Sequence, residues 1–126
     1  MLAAQRAPDE PAGGSRQQRI SAALAQASAV PLEVAEIGDR VAALATEIAA
    51  GGNPSVRGDA LTAARLAAAA AQAAAALVRI NLAGTPDDPR SAQASQLGDR
   101  AARLAAQAEG RADDAVRADE GVRAGD

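Results

Sequence analysis

Gly52-Asn53-Pro54-Ser55-Val56-Arg57-Gly58-Asp59 runs without a break into an Ala-rich stretch from Ala60 to Leu82, and the reading of that junction decides the fold. Gly, Asn and Pro punctuate secondary structure, and Gly58 tolerates backbone conformations that other residues resist, so the first part reads as a loop. Ala and Leu rank high in helix propensity and no Gly or Pro interrupts the second part, which therefore reads as one long helix. An acid, Asp59, stands where the loop enters it. Arg65, Gln72 and Arg79 recur at every seventh position, confining the polar groups to a narrow stripe. The rest of the circumference is almost wholly apolar, which predicts a helix buried on most sides.

Upstream, Val34, Ile37, Val41, Leu44 and Ile48 alternate steps of three and four, the spacing of a helical a/d seam. Gly51-Gly52 closes that helix. The seam needs a facing helix, and the long helix from Asp59 is the expected one. Pro31 fits the first turn of the seam helix, where its missing N–H is no loss. It also restricts Val30, so a preceding helix over Arg16–Val30, patterned by Ile20, Leu24 and Ala27, is expected to end there. Met1 to Ser15 holds Pro8, Pro11 and Gly13-Gly14 and reads as an irregular leader. Downstream, Ala83-Gly84-Thr85-Pro86-Asp87-Asp88-Pro89 is a turn-rich loop. A further helix starts near Arg90, with Ala94, Leu97, Ala101, Leu104 and Ala108 on its apolar side. The folded domain is expected over 16–110. Beyond Gly110 charges dominate, and 111–126 reads as a frayed or disordered tail.

The expectation is thus an all-α bundle of about four helices in a single domain. Its core is thin. The chain of 126 residues has no aromatic residue and no Cys, and its commonest side chain, Ala, buries little area. At about 25 cal/mol per Å² each helix gains only modest hydrophobic free energy. Close helix approach or a second subunit must supply the rest, so a homodimer is expected.

Composition also narrows the chemistry. The net charge is −3 and the 13 cations are all Arg, scattered among 16 acids; nucleic-acid binding needs clustered cations, so none is expected. No apolar segment near Met1 resembles a signal peptide, and the run between Arg65 and Arg79 reads as too short to span a bilayer. The expected compartment is the cytoplasm, with no membrane partner. Without His or Cys there is no imidazole base, thiol nucleophile or common zinc site, and no metal site is expected. Acid–base work then falls to a carboxylate. Asp59 is the best placed, because Ala63 and Leu66 share its helix face at i+4 and i+7. Its plainer reading is a first-turn acid worth about 1 kcal/mol. Asn53 reads equally as a turn residue, Asn81 as a helix-end residue and Arg79 as part of the polar stripe. The Arg57-Gly58-Asp59 tripeptide is taken as a coincidence with adhesion motifs.

Three blocks in order and spacing, Val30-Pro31-Leu32-Glu33-Val34-Ala35-Glu36, Gly52 to Ala60, and Leu77-Val78-Arg79-Ile80-Asn81-Leu82, resemble the cyclodeaminase/cyclohydrolase family. That family includes the C-terminal domain of formiminotransferase-cyclodeaminase and methenyltetrahydrofolate cyclohydrolases. The resemblance implies an all-helical dimer acting on one-carbon units carried by a tetrahydrofolate derivative, which is substrate rather than a covalently bound cofactor. It implies Asp59 as the general acid/base, and Asn53, Arg79 and Asn81 as folate contacts, Arg79 meeting glutamate carboxylates. Gly58, Ser55 and Leu77 depart from residues common in relatives. The resemblance begins at about Arg16 and corresponds to the C-terminal two-thirds of the family domain, its N-terminal helices lacking a counterpart. The alternatives are a truncated, non-catalytic dimerisation scaffold of the same family and an elongated Ala-rich coiled coil without a ligand.

Overall fold

The computed structural model describes residues 12–126, which form four helices and one short 3-10 turn: α1 (Ala12–Ala27), α2 (Ala29–Gly51), the 3-10 turn at Pro54–Val56, α3 (Arg57–Asn81) and α4 (Arg90–Ala124). Among the described residues there is no strand, so the all-α expectation holds. The leader expected over 1–15 falls mostly outside the described residues, but its end, from Ala12, is already helix.

The break between α1 and α2 is a single turn at Ser28. Pro31 has no N–H to offer the carbonyl of Ala27 four residues back, so the ladder is interrupted there. Ser28 repairs the gap: its N–H reaches Ala25 O, its hydroxyl donates to Leu24 O, and its own carbonyl accepts from Leu32 N. Two helices therefore meet nearly end to end rather than at an open loop. At the other end of α2, Gly52 has φ −79° and bonds Ile48 O through its N–H. It does not take the left-handed conformation usual at a helix end. A Cβ there would meet Ile48 O at 2.5 Å, so space, not φ, selects glycine.

α2, α3 and α4 pack against one another as a three-helix bundle, with α1 attached at one end. α4 runs parallel to α2, since Asp39 meets Arg100 and Thr46 meets Leu104, and antiparallel to α3, since Arg57 meets Asp119 and Arg65 meets Glu109. Those last pairs, with Arg79 donating to Ser95 Oγ, explain the polar stripe of α3. It is the side laid against α4.

The core is made of alanine. Ala42, Ala45 and Ala49 of α2 face Ala60, Ala64, Ala67, Ala68 and Ala71 of α3 and Ala101, Ala105 and Ala108 of α4. A smaller cluster near the α1 end gathers Val78, Leu82, Ala75 and Ala94. Helices this smooth approach closely, and Gly38 marks the tightest point, where a Cβ would lie 2.9 Å from both Ala67 O and Ala71 Cβ. Thr46, buried between α2 and α4, places its hydroxyl 2.7 Å from Ala42 O and 3.0 Å from Leu104 O.

This arrangement overturns the expected seam. Val34, Ile37, Val41, Leu44 and Ile48 do not face α3; they are 40–61% exposed. The residues that do pack into the alanine interior with α3 are Gly38, Ala42, Ala45 and Ala49, roughly a quarter-turn around the helix, and Ala35 on the same side is also buried. Small side chains won the interior because backbones that nearly touch leave no room for branched ones. The tail is also corrected. α4 continues to Ala124, held beyond Gly110 by Ala112, which is buried, and by the Arg57–Asp119 and Asp114–Arg117 ion pairs.

Candidate functional site

Three of the displaced aliphatic side chains, Val34, Ile37 and Val41, line a groove between α2 and α3. One hollow of about 530 Å³ is bounded by Val30, Pro31 and Val34 on one side and Ala70, Ala73, Leu77 and Asn81 on the other. A second, of about 410 Å³, continues it past Ile37 and Val41 against Ala63, Leu66 and Ala70. Both linings are almost wholly apolar. Pro31 and Asn81 lie at one end, and Val41 and Ala63 at the other.

Asp59 sits in that first turn. It shares the groove-side face of α3 with Ala63 and Leu66, as the i+4 and i+7 spacing requires. However, it is exposed, it lines neither hollow, and no hydrogen bond or ion pair engages it among the described residues. The expectation that it leans against an apolar interior is corrected by that exposure: its neighbour Ala60 takes the buried position in the first turn, packed in the alanine cluster with Ala49 of α2, and Asp59 stands outside it. Asn81 lies on the same face at the far end, about 33 Å along the helix. Arg79 points some 160° away from both, toward α4 and Ser95. Asn53 precedes the 3-10 turn and spends its side-chain carbonyl on Ser55 N–H, at 3.0 Å, as an N-cap. Within one chain, then, the four candidates separate into Asn53 with Asp59 at one end of α3, Asn81 at the other, and Arg79 on a different side.

One acid escaped the sequence reading. Asp39 is the only charged residue buried among the described residues; its Oδ2 accepts from Arg100 Nη1 at 2.6 Å while Oδ1 has no partner. Its neighbour Gly38, at the closest contact of α2 with α3, gave the only hint. With Arg40, Ala43, Leu44 and Arg100 it lines a separate hollow of about 280 Å³. The pair ties α2 to α4. No group of three or more potential metal ligands occurs among the described residues.

The described residues thus form an all-α bundle with an open apolar groove between α2 and α3. A family model described as formiminotransferase-cyclodeaminase matches residues 1–108, and the chain belongs to that family, a folate-related one-carbon family. The match reaches residue 1, upstream of the start at about Arg16 inferred from the motifs. Neither curated proteins nor solved structures gave a match.

Proposed function

We propose that the chain handles one-carbon units on a reduced folate, as a formiminotetrahydrofolate cyclodeaminase or a methenyltetrahydrofolate cyclohydrolase, with Asp59 as general acid/base. The observation that carries this reading is the family match, which spans the loop holding Asp59 and the helix end holding Asn81. In cyclodeamination N10 of the folate attacks the formimino carbon. With the formimino group entering protonated, as –CH=NH2+, the new C–N bond forms as N10 loses its proton and the C=N electrons move onto nitrogen; the resulting amine must gain one proton before it leaves as ammonia with the electrons of the breaking C–N bond. A single carboxylate can take the first proton and deliver it to the departing nitrogen. In cyclohydrolysis the same group takes a proton from water as it adds to the methenyl carbon, then returns one to the ring nitrogen that departs.

The groove's apolar walls suit the flat body of such a ligand, with Asn81 offering a donor and an acceptor to its polar edge. Arg79 stays outside this site because it faces α4, and Asn53 acts by shaping the loop before Asp59 rather than by touching the ligand. Titration with 5-formimino- and 5,10-methenyltetrahydrofolate tests the reading. Binding and turnover that Asp59→Asn abolishes, with affinity and helix content kept, support it; no binding at millimolar ligand overturns it.

The exposure of Asp59 favours a second reading, a non-catalytic dimerisation scaffold of the same family. It predicts self-association without folate binding.

A further inference from the structure

We propose that Arg57 holds the loop bearing Asp59 in place by tethering it to Asp119 on the last part of α4. Residues 109–124 of α4, which lie beyond the family match, thereby serve the candidate site as a strap.

Little else fixes that loop. From Asn53 to Asp59 every residue is exposed except Arg57. The hydrogen bonds of the loop are local: Ser55 N–H donates to Asn53 Oδ1, Val56 N–H to Asn53 O, and Arg57 N–H to Pro54 O. They shape the turn without attaching it to the bundle, and the Thr62 hydroxyl, which donates to Gly58 O, stays within α3. Among the described residues, the polar side-chain contact that leaves this loop for another element is the pair between Arg57 Nη1 and Asp119 Oδ2, at 3.5 Å. The Arg57 side chain is only 15% exposed, against 53% for Asp119, so its apolar stem is covered and packing adds to charge in holding it. Its Nε is buried without a partner. A methionine would fill the same space without that unsatisfied donor; what the arginine adds is the charged end that reaches Asp119.

The anchor exists because α4 overruns its neighbours. α2 ends at Gly51 and α3 begins at Arg57, whereas α4 continues to Ala124. Its bundle-facing stripe of Ala101, Ala105, Ala108 and Ala112 is buried as far as Ala112. Asp119 lies two turns further on the same face, so the stripe that carries alanine against the bundle carries a carboxylate where the first turn of α3 comes within reach of it. Asp59 follows Arg57 by two residues and projects from the opposite side of that turn. Arg57 therefore touches neither Asp59 nor the groove; it acts through the backbone, as a positioning residue. Where the folate reading also holds, the tether sets the aim of the general acid/base, and a misplacement of about 1 Å can cost up to about a hundredfold in rate. That consequence rests on the proposed function, whereas the tether does not.

Amide exchange in the full chain reads the tether without any ligand. In Arg57→Met, which keeps the stem, and in Asp119→Asn, exchange at Ser55 and Val56 should quicken about threefold, the scale of a partly exposed ion pair, while Ala71 in the middle of α3 is unchanged. Asp119→Glu keeps the charge and should match the unaltered protein. So should Asp114→Asn, which removes a carboxylate from the same part of α4 but one paired with Arg117 of its own helix. Asp119 is half exposed, so its variants keep the test decisive should Arg57→Met fail to fold. Unchanged exchange at Ser55 and Val56 in Asp119→Asn overturns the tether, and so does an equal rise in Asp114→Asn, which would make net charge the cause. With 5-formimino- or 5,10-methenyltetrahydrofolate as substrate, Asp119→Asn should lower kcat about three- to tenfold and leave KM in place, the pattern of an interaction felt only in the transition state. A loosened loop with unchanged kcat overturns the positioning of Asp59. A chain that turns over neither folate overturns only the functional reading, and exchange then decides the tether by itself.

Discussion

Gly38 and Gly110 are both helical glycines, yet their surroundings differ completely. A methyl group at Gly38 would strike the Ala67 carbonyl and the Ala71 side chain of α3, whereas one at Gly110 would meet nothing within 4 Å. Gly38→Ala should therefore cost about 1–3 kcal/mol through forced helix separation, while Gly110→Ala should stabilise by up to about 1 kcal/mol through helix propensity. Urea denaturation of the two variants reads the opposite signs. Asp39 supports a second comparison at this scale. Its buried carboxylate depends on Arg100, whose side chain is 58% exposed; solvent screening on that side reduces the ~3–5 kcal/mol typical of breaking a buried pair. Arg100→Met should cost about 1–2 kcal/mol, because the acid is left buried without its counterion. Adding Asp39→Ala to that variant should recover part of the loss, and a double-mutant cycle in urea measures the recovery.

The loop before α4 shows how one element is started. Asp88 accepts from the Arg90 N–H at 3.0 Å and from its guanidinium through both oxygens, and these bonds, the side-chain ones first, hold its carboxyl below the usual carboxylate range. Because the folded form is the more acidic, the bonds contribute fully above the ordinary carboxylate pKa and are lost as pH falls through the lowered value. The first turn of α4 should fray on acidification while α3 persists, and amide exchange at Arg90 and Ser91 against Ala71 and Gln72 checks it. This loop, the Ala60–Leu82 helix and the stop after Gly51 were all legible from Gly, Pro and Ala placement. The side on which α2 packs was not. Its periodicity located an apolar stripe correctly, but a stripe of Val, Ile and Leu and a stripe of Ala and Gly lie side by side on that helix, and spacing cannot say which one meets α3. The same limit touched the site. Counting placed Asp59, Ala63 and Leu66 on one face, and they are there. Burial depends on what covers the face, which is why Asp59 is exposed and why Asp39 went unnoticed. Arg79 is legible in retrospect, because it continues the Arg65–Gln72 stripe and shares that stripe's neighbour, α4.

An alanine interior changes which substitutions the whole molecule tolerates. In most domains, trimming a large core side chain is the severe change, because it leaves a cavity. Here, apart from Val78 and Leu82 near the α1 end, the buried positions between the three packed helices hold side chains with almost nothing to trim, and most of the large aliphatic residues stand outside. Ala71 is 0% exposed, lies in the main alanine cluster and sits against Gly38 and Gly98. Ala71→Leu must push at least two helices apart, breaking the Thr46 clasp and the Asp39–Arg100 pair along with the close backbone contacts. Its cost should reach about 3 kcal/mol or more. Leu66→Ala removes a larger group from an exposed site and should cost the isolated chain less than about 1 kcal/mol. Chemical denaturation at a concentration dilute enough to hold the chain as a monomer compares the two. A greater loss for Leu66→Ala would mean that the aliphatic strip, rather than the alanine interface, holds the three helices together. The predicted order follows from the packing: where helices are held by how closely their backbones approach, added volume is the damaging change.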